Sequence, residues 1–175
     1  MSLTKIILKE HINTSDKRYS PDYIRNNFKR IGEGTEGEIF TDGNYAYKVV
    51  PSDLVAEPED IIKQFVDKSY RNVVKVYDAW SDDWETVIKM ELLEDLPDNF
   101  DEEEFEEVRE KLWNIKDGVN KVYDILNDVK DSEIRKMLKA IIDAGKQMNS
   151  SHFDIGFHNL MYDPKTKEYK QIDLT

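Results

Sequence analysis

Apolar positions along this chain change their period part-way. Up to about residue 93 they alternate or run in short blocks, and beyond Pro97 they recur every three to four residues. Period two marks a half-buried strand, and a period near 3.6 marks a helix with one buried face. Residues 3–9 predict a short strand. Residues 21–28 predict a short helix, with Ser20 as its N-cap and Pro21 at the first helical position. From Phe28 the chain runs into glycines at 32, 34 and 37, alternates through 38–41, turns at Asp42-Gly43-Asn44 and alternates again through 45–50. Asp-Gly between two alternating runs predicts a tight hairpin, because glycine supplies the positive φ such a turn needs. Residues 58–68 predict a helix with Ile61, Ile62, Phe65 and Val66 on one face. Residues 73–80 and 86–93 predict two further strands, joined by a polar turn at 81–85.

The second half reads as helix. The acidic run 101–107 suits a solvated first turn, where carboxylates complement the macrodipole. Phe105, Val108, Leu112, Ile115, Val119 and Val122 continue one apolar face, with Gly118 as a break point. A further helix over 131–149 turns Ile134, Met137, Leu138, Ile141, Ile142 and Met148 inward, and short strands around a turn at 163–167 close the chain. Strands with one helix, then helices, then a small hairpin predict an α+β fold of two lobes. Its expected parts are an N-terminal extension (1–27), a strand-rich lobe (28–93), a connection (94–98) and a helical lobe (99–175).

Composition narrows the function. Acids outnumber bases 37 to 25, a net charge of −12, which argues against a general binder of nucleic acid or anionic membrane. Aromatic residues make up 11% of the chain, so a packed core is expected despite its 35% charged content. Cysteine is absent, which excludes disulfides, thiolate metal sites and cysteine nucleophiles. With no apolar run long enough to span a membrane and no signal-like start, a cytoplasmic protein is expected.

Four short segments carry candidate chemistry. Gly32, Gly34 and Gly37 form a GxGxxG followed by a predicted hairpin rather than a helix, so the dinucleotide-binding context fails. Glycines between two antiparallel strands instead let backbone N–H groups close over a phosphate chain. Ala46-Tyr-Lys48 places a lysine on the next strand, beneath that loop, with Glu57, Glu59 or Asp60 on the following segment as its carboxylate partner. His152, Asp154 and Asn159 form the third segment, in which Asp takes a proton from a hydroxyl and Asn offers a neutral oxygen to a divalent cation. Asp173 is the fourth, at a strand end, where a carboxylate can hold Mg²⁺ against two phosphates. Singly these are a turn glycine, an edge-strand lysine and loop aspartates. Their order and spacing are what carry meaning.

In that order they resemble the protein-kinase-like fold family, from Phe28 to the last residue. Gly32, Gly34 and Gly37 look like its Gly-rich loop, and Ile39 like the aliphatic residue above the adenine. Ala46 and Lys48 resemble its Ala-x-Lys strand. Met90 is similar to its gatekeeper, Glu91 to Leu93 to its hinge, and Met161 to the floor of the adenine site. His152-Phe-Asp154 with Asn159 resembles the His-x-Asp-x-x-x-x-Asn loop, and Asp173 the Asp of Asp-Phe-Gly. The resemblance implies ATP and Mg²⁺ as cofactors. It makes Asp154 the base and sets Lys48 on the phosphates, with Asp60 as one of its candidate partners. Asn159 and Asp173 are implied on the metal.

Departures from the family shape the rest of the expectation. Thr175 stands where the family has glycine, and no activation segment or later helices follow. A short form is therefore expected, similar to small kinase-like proteins encoded by lytic phages, or else a fragment of a longer kinase. Phe153 stands where kinases switched by activation-loop phosphorylation carry Arg, and Gly156 where protein Ser/Thr kinases carry Lys. The expected activity is transfer of the γ-phosphoryl group of ATP to a hydroxyl on a protein or small molecule. The alternative is an ATP-binding or catalytically silent interaction protein. Without later helices, the apolar faces between 101 and 149 need cover, either from the first helix folding back or, as the favoured expectation, from a partner: a homodimer as the simplest case, or a host protein.

Overall fold

In a computed structural model, which describes residues 17–34, 37–51, 64–66, 68–97, 101–113, 119–148 and 157–172, Ser20 starts helix α1 (Pro21–Asn27). The Ser20 hydroxyl accepts the Tyr23 N–H at 3.2 Å, and Pro21 sits in the first turn, where a missing N–H is no loss. Strands β1 (Lys29–Gly34), β2 (Gly37–Thr41), β3 (Tyr45–Pro51), β4 (Val76–Ser81) and β5 (Glu85–Glu91) follow. Helices α2 (Glu102–Trp113), α3 (Val119–Asp128) and α4 (Ser132–Met148) come next, then a 3-10 turn (Phe157–Asn159) and the hairpin β6 (Leu160–Asp163) and β7 (Glu168–Gln171). Among the described residues the fold is α+β, with a five-stranded antiparallel sheet in the order β1-β2-β3-β5-β4 and four helices. The strand expected at 3–9 lies outside the described residues.

Aspartates make two of the tight turns of the sheet. Asp42 Oδ1 accepts the N–H groups of Asn44 and Tyr45 at 2.8 and 2.9 Å, while Gly43 takes φ +93°. Asp82 Oδ1 accepts those of Trp84 and Glu85, both at 2.9 Å, at the tip of the β4–β5 hairpin. Each short acceptor stands in for a backbone carbonyl and fixes the register of the strands it joins.

Alternation then sorts side chains onto two faces. Tyr47, Val49, Phe40, Trp80 and Val87 face outward from the cleft described below and pack against Ile24 of α1, with Tyr19 and Phe28 at the margin. Arg25 of the same helix reaches Glu38 of β2 at 2.9 Å and Glu85 of β5 at 2.7 Å, tying three elements together. Ala46, Val50, Val76, Ala79, Ile88 and Met90 occupy the opposite face. Val76 and Ala79 share that face because the register shifts between Val76 and Asp78. Phe65 and Val66 pack on it too, yet residues 64 and 65 form a turn and Val66 makes a parallel bridge with Val76. The helix expected over 58–68 therefore does not reach its predicted end; β-branched Val66 is taken by the sheet edge instead. Its earlier residues, 58–63, lie outside the described set.

Phe105, Val108 and Leu112 of α2 are buried with Leu126, Ile134, Met137, Leu138 and Ile141, and with Leu160 and Tyr169 of the hairpin. Asp131 caps α4, its Oδ1 accepting the N–H groups of Glu133 and Ile134 at 2.7 and 3.2 Å. The face expected over 105–122 falls on α2 and α3, while Ile115 and the expected break point Gly118 lie outside the described residues. Within the chain, Phe105, Val108 and Leu112 of α2 pack with Ile134, Met137 and Ile141 of α4. None of the described helices is long and apolar enough to cross a membrane.

Met137 and Ile141 are fully buried in this cluster. Truncating either to Ala should cost about 2–5 kcal/mol, read as a lower urea midpoint with an unchanged slope.

Candidate functional site

The glycines of the β1–β2 turn are not equivalent. A Cβ on Gly37 would fall 2.2 Å from the Val49 carbonyl oxygen, so packing of β2 on β3 alone demands glycine there. A Cβ on Gly32 would make an ordinary contact with Ile39 at 3.7 Å, and one on Gly34 would meet nothing within 4 Å. Neither has a positive φ. Folding therefore leaves the glycine at 34 unexplained. The missing side chain opens space above a cleft.

That cleft has a volume of about 830 Å³. Gly32, Gly34, Gly37 and Ile39 form its roof, and Ala46, Lys48, Val74 and Met90 its back wall. The connection after β5 supplies one side through Glu91, Leu92, Leu93 and Asp95. His158, Asn159, Leu160, Met161 and Ile172 form the floor. Gly32, Gly34, Gly37, Ile39, Ala46, Lys48, Met90, Glu91, Leu93, Asn159 and Met161, every candidate the structure describes, line this one cavity. Candidates Asp60, Asp154 and Asp173, with His152, Glu57 and Glu59, lie outside the described residues. Among those described, no three His, Asp or Glu side chains converge as a metal site.

Two placements follow from strand pairing. Lys48 is half-buried and sits across β2 from Ile39 and across β5 from Ile88, so its side chain shares the inner face with Ala46 and Val50. Asn159 ends the 3-10 turn, and its carbonyl accepts the Ile172 N–H at 2.9 Å. The residue immediately before Asp173 is thus bonded to Asn159.

Sequence reasoning missed the residues that hold this floor in place. Lys170 Nζ donates to both carboxylate oxygens of Glu91 at 2.8 Å and approaches Asp163 at 3.0 Å. Glu91 also accepts the Lys75 N–H at 2.7 Å. Burial disfavours a charge on Lys170, but bonds to Glu91 and Asp163 outweigh it and raise its pKa. Burial likewise works to raise Asp163, yet Lys170, the Thr166 hydroxyl and the Lys165 N–H together bring it down to about 2. Burial, followed by the Glu91 charge, pushes Tyr77 up. No motif marks Lys170, since its partner Glu91 arrives from 79 positions away along the chain. Asp163-Pro164 does signal a turn, and Asp163 caps it by accepting the Lys165 N–H at 3.0 Å and the Thr166 hydroxyl proton at 2.9 Å.

Compared with known proteins, the chain matches no family model and finds no significant match among curated proteins.

The lowered Asp163 pKa has a definite sign. A carboxylate held below its unfolded value of 3.8 stabilises the fold while ionised, and that contribution is lost as pH falls from ~5 towards 2. Asp163→Asn should be less stable than wild type at pH 7 and lose less stability over that interval. Urea unfolding at a series of pH values reads both effects.

Proposed function

We propose that the protein is an ATP- and Mg²⁺-dependent phosphotransferase with a bilobal protein-kinase-like architecture, acting on a hydroxyl of a protein or small molecule. One observation carries this reading. Candidates picked from separate stretches of sequence for a single chemistry, between Gly32 and Met161, converge on one cleft. Strand pairing alone brings Ile39, Lys48, Ala46 and Met90 together, but Asn159 and Met161 come from a separate segment and still face the same cleft.

The described residues fit the nucleotide. A volume of about 830 Å³ lies within the ~300–1,000 Å³ range of small-molecule sites. Ile39 and Ala46 above and Met161 below are apolar, as the faces of an adenine require, and the backbone from Glu91 to Leu93 runs along its edge. Open space at Gly34 admits a phosphate chain close to the backbone, and Lys48 brings a positive charge to the same chamber. Asn159 and Asp173 would hold the metal, and the Asn159–Ile172 bond brings their chain segments together. Mg-ATP, when bound, supplies the transferable phosphoryl group and the cation that screens its charge. Lys48 neutralises phosphate oxygens, the glycine backbone encloses them and excludes water, and Asp154 orients the acceptor and takes its hydroxyl proton.

Binding and turnover separate by residue. Asp154→Asn should lower turnover by at least about 10²-fold and leave Mg-ATP affinity nearly unchanged, because the base acts on the acceptor. Asp173→Asn should weaken Mg-ATP binding itself. Incubation with labelled ATP followed by mass spectrometry, with calorimetry alongside, decides between the readings. Binding without any phosphorylated product would favour the silent interaction protein, and no binding at millimolar Mg-ATP would end the nucleotide reading.

Gly34 gives an independent check. Gly34→Val should leave the thermal midpoint within a few degrees of wild type and weaken Mg-ATP by about tenfold or more, since the added atoms meet ligand rather than protein.

A further inference from the structure

A buried ammonium behind the cleft joins two of its walls. The side chains of Lys170, Glu91 and Asp163 are 10%, 16% and 8% exposed, and Lys170 itself is not part of the cleft lining. Glu91 ends β5 and opens the connection along the cleft, while Asp163 and Lys170 belong to the hairpin whose other residues, Leu160 and Met161, form the floor.

Backbone bonds surround this triad in a closed circuit. β4 pairs with β5, and just beyond β5 the N–H groups of Glu94 and Tyr162 each donate to the other's carbonyl, at 2.9 and 2.8 Å. β6 pairs with β7, whose Gln171 donates to the Asn72 carbonyl and accepts from Val74 N–H, both at 2.9 Å. Val74 then leads back into β4. A ring of hydrogen-bonded strands thus encloses a cation shared by two carboxylates. Removing one member of a buried ion pair strands the remaining charge, and moving the walls apart strands all three.

We propose that Lys170 is a positioning residue for nucleotide recognition: it fixes the Glu91–Leu93 backbone at a set distance from the Asn159–Met161 floor. This rests on the nucleotide reading above. A cleft held this way is formed before its ligand arrives, so binding loses little to ordering. Its movable wall is then β1, at the sheet edge and mostly exposed, rather than the connection between the halves.

The test compares wild type with Lys170→Arg, which keeps the charge, and with the double variant Glu91→Gln/Lys170→Met. In the double variant the Glu91 charge is removed together with the cation, and Asp163, which loses that cation, keeps its bonds from the Thr166 hydroxyl and the Lys165 N–H. Hydrogen exchange at the Glu94 and Tyr162 amides reads the ring without any ligand, and calorimetry reads Mg-ATP affinity. The folded double variant should exchange at these amides at least about tenfold faster. Its Mg-ATP affinity should fall about tenfold or more, with Lys170→Arg staying within about threefold of wild type. Faster exchange with unchanged affinity, or weaker affinity with unchanged exchange, rejects the proposal. If wild type binds no Mg-ATP, the nucleotide reading falls separately and exchange alone judges the clamp, wild-type protection in the double variant counting against it.

Discussion

The whole cleft depends on a hairpin of two four-residue strands having both of its edges occupied. So short a ribbon is marginal in water by itself, and a bare edge would present unpaired backbone groups. Here Tyr162 satisfies one edge against Glu94, and Gln171 satisfies the other against Asn72 and Val74. Tyr169 and Leu160 meanwhile anchor one face in the helical core, and the Tyr169 hydroxyl donates to Glu133 of α4 at 2.8 Å. The hairpin is therefore the piece shared by sheet and helices. Asn159, Met161 and Ile172 stand beneath Gly34 and Lys48 because of it.

Much of this was legible wherever a few neighbouring residues decide the outcome. Ser20 with Pro21, Asp42 with Gly43, and the 3.6-residue spacing of Ile134, Leu138 and Ile141 are local signals, and the structure follows each of them. The turn and bridge at Phe65 and Val66 were not legible, because the deciding partner, Val76, is a strand away. Lys170 was invisible for a stronger form of the same reason. A lysine flanked by Tyr169 and Gln171 carries no mark until β7 places it opposite Glu91. For the candidate site, segment order identified residues that share a cavity, but it could not separate Gly37, which strand packing requires, from Gly34, which packing does not.

The electrostatics divide along the same line. On the outer face, Arg25 joins α1 to Glu38 and Glu85 in partly exposed pairs, which individually contribute little and are weakened by salt. Behind the cleft, the Glu91–Lys170–Asp163 triad is almost dry, and its worth lies less in stability than in fixing one arrangement of three segments. In a protein with a net charge of −12, Arg25 and Lys170 thus each join segments distant in sequence, whereas pairs such as Lys136–Glu133 stay within one helix.

The closed circuit also sets the order in which the molecule can be built. Asn72 Nδ2 donates to the Tyr169 carbonyl across 97 positions of chain, and such distant closures slow folding, because the loop must be ordered before the contact rewards it. On a ribosome, β1 to β5 emerge first and can pair among themselves, but the Asn72–Val74 segment and the stretch after Glu91 wait for the hairpin. Until residues 160–171 have left the exit tunnel, the nascent chain carries a finished sheet with two unsatisfied strand ends side by side. During that interval the backbone groups of Asn72, Val74 and Glu94 that the hairpin will occupy are open to pairing with another chain.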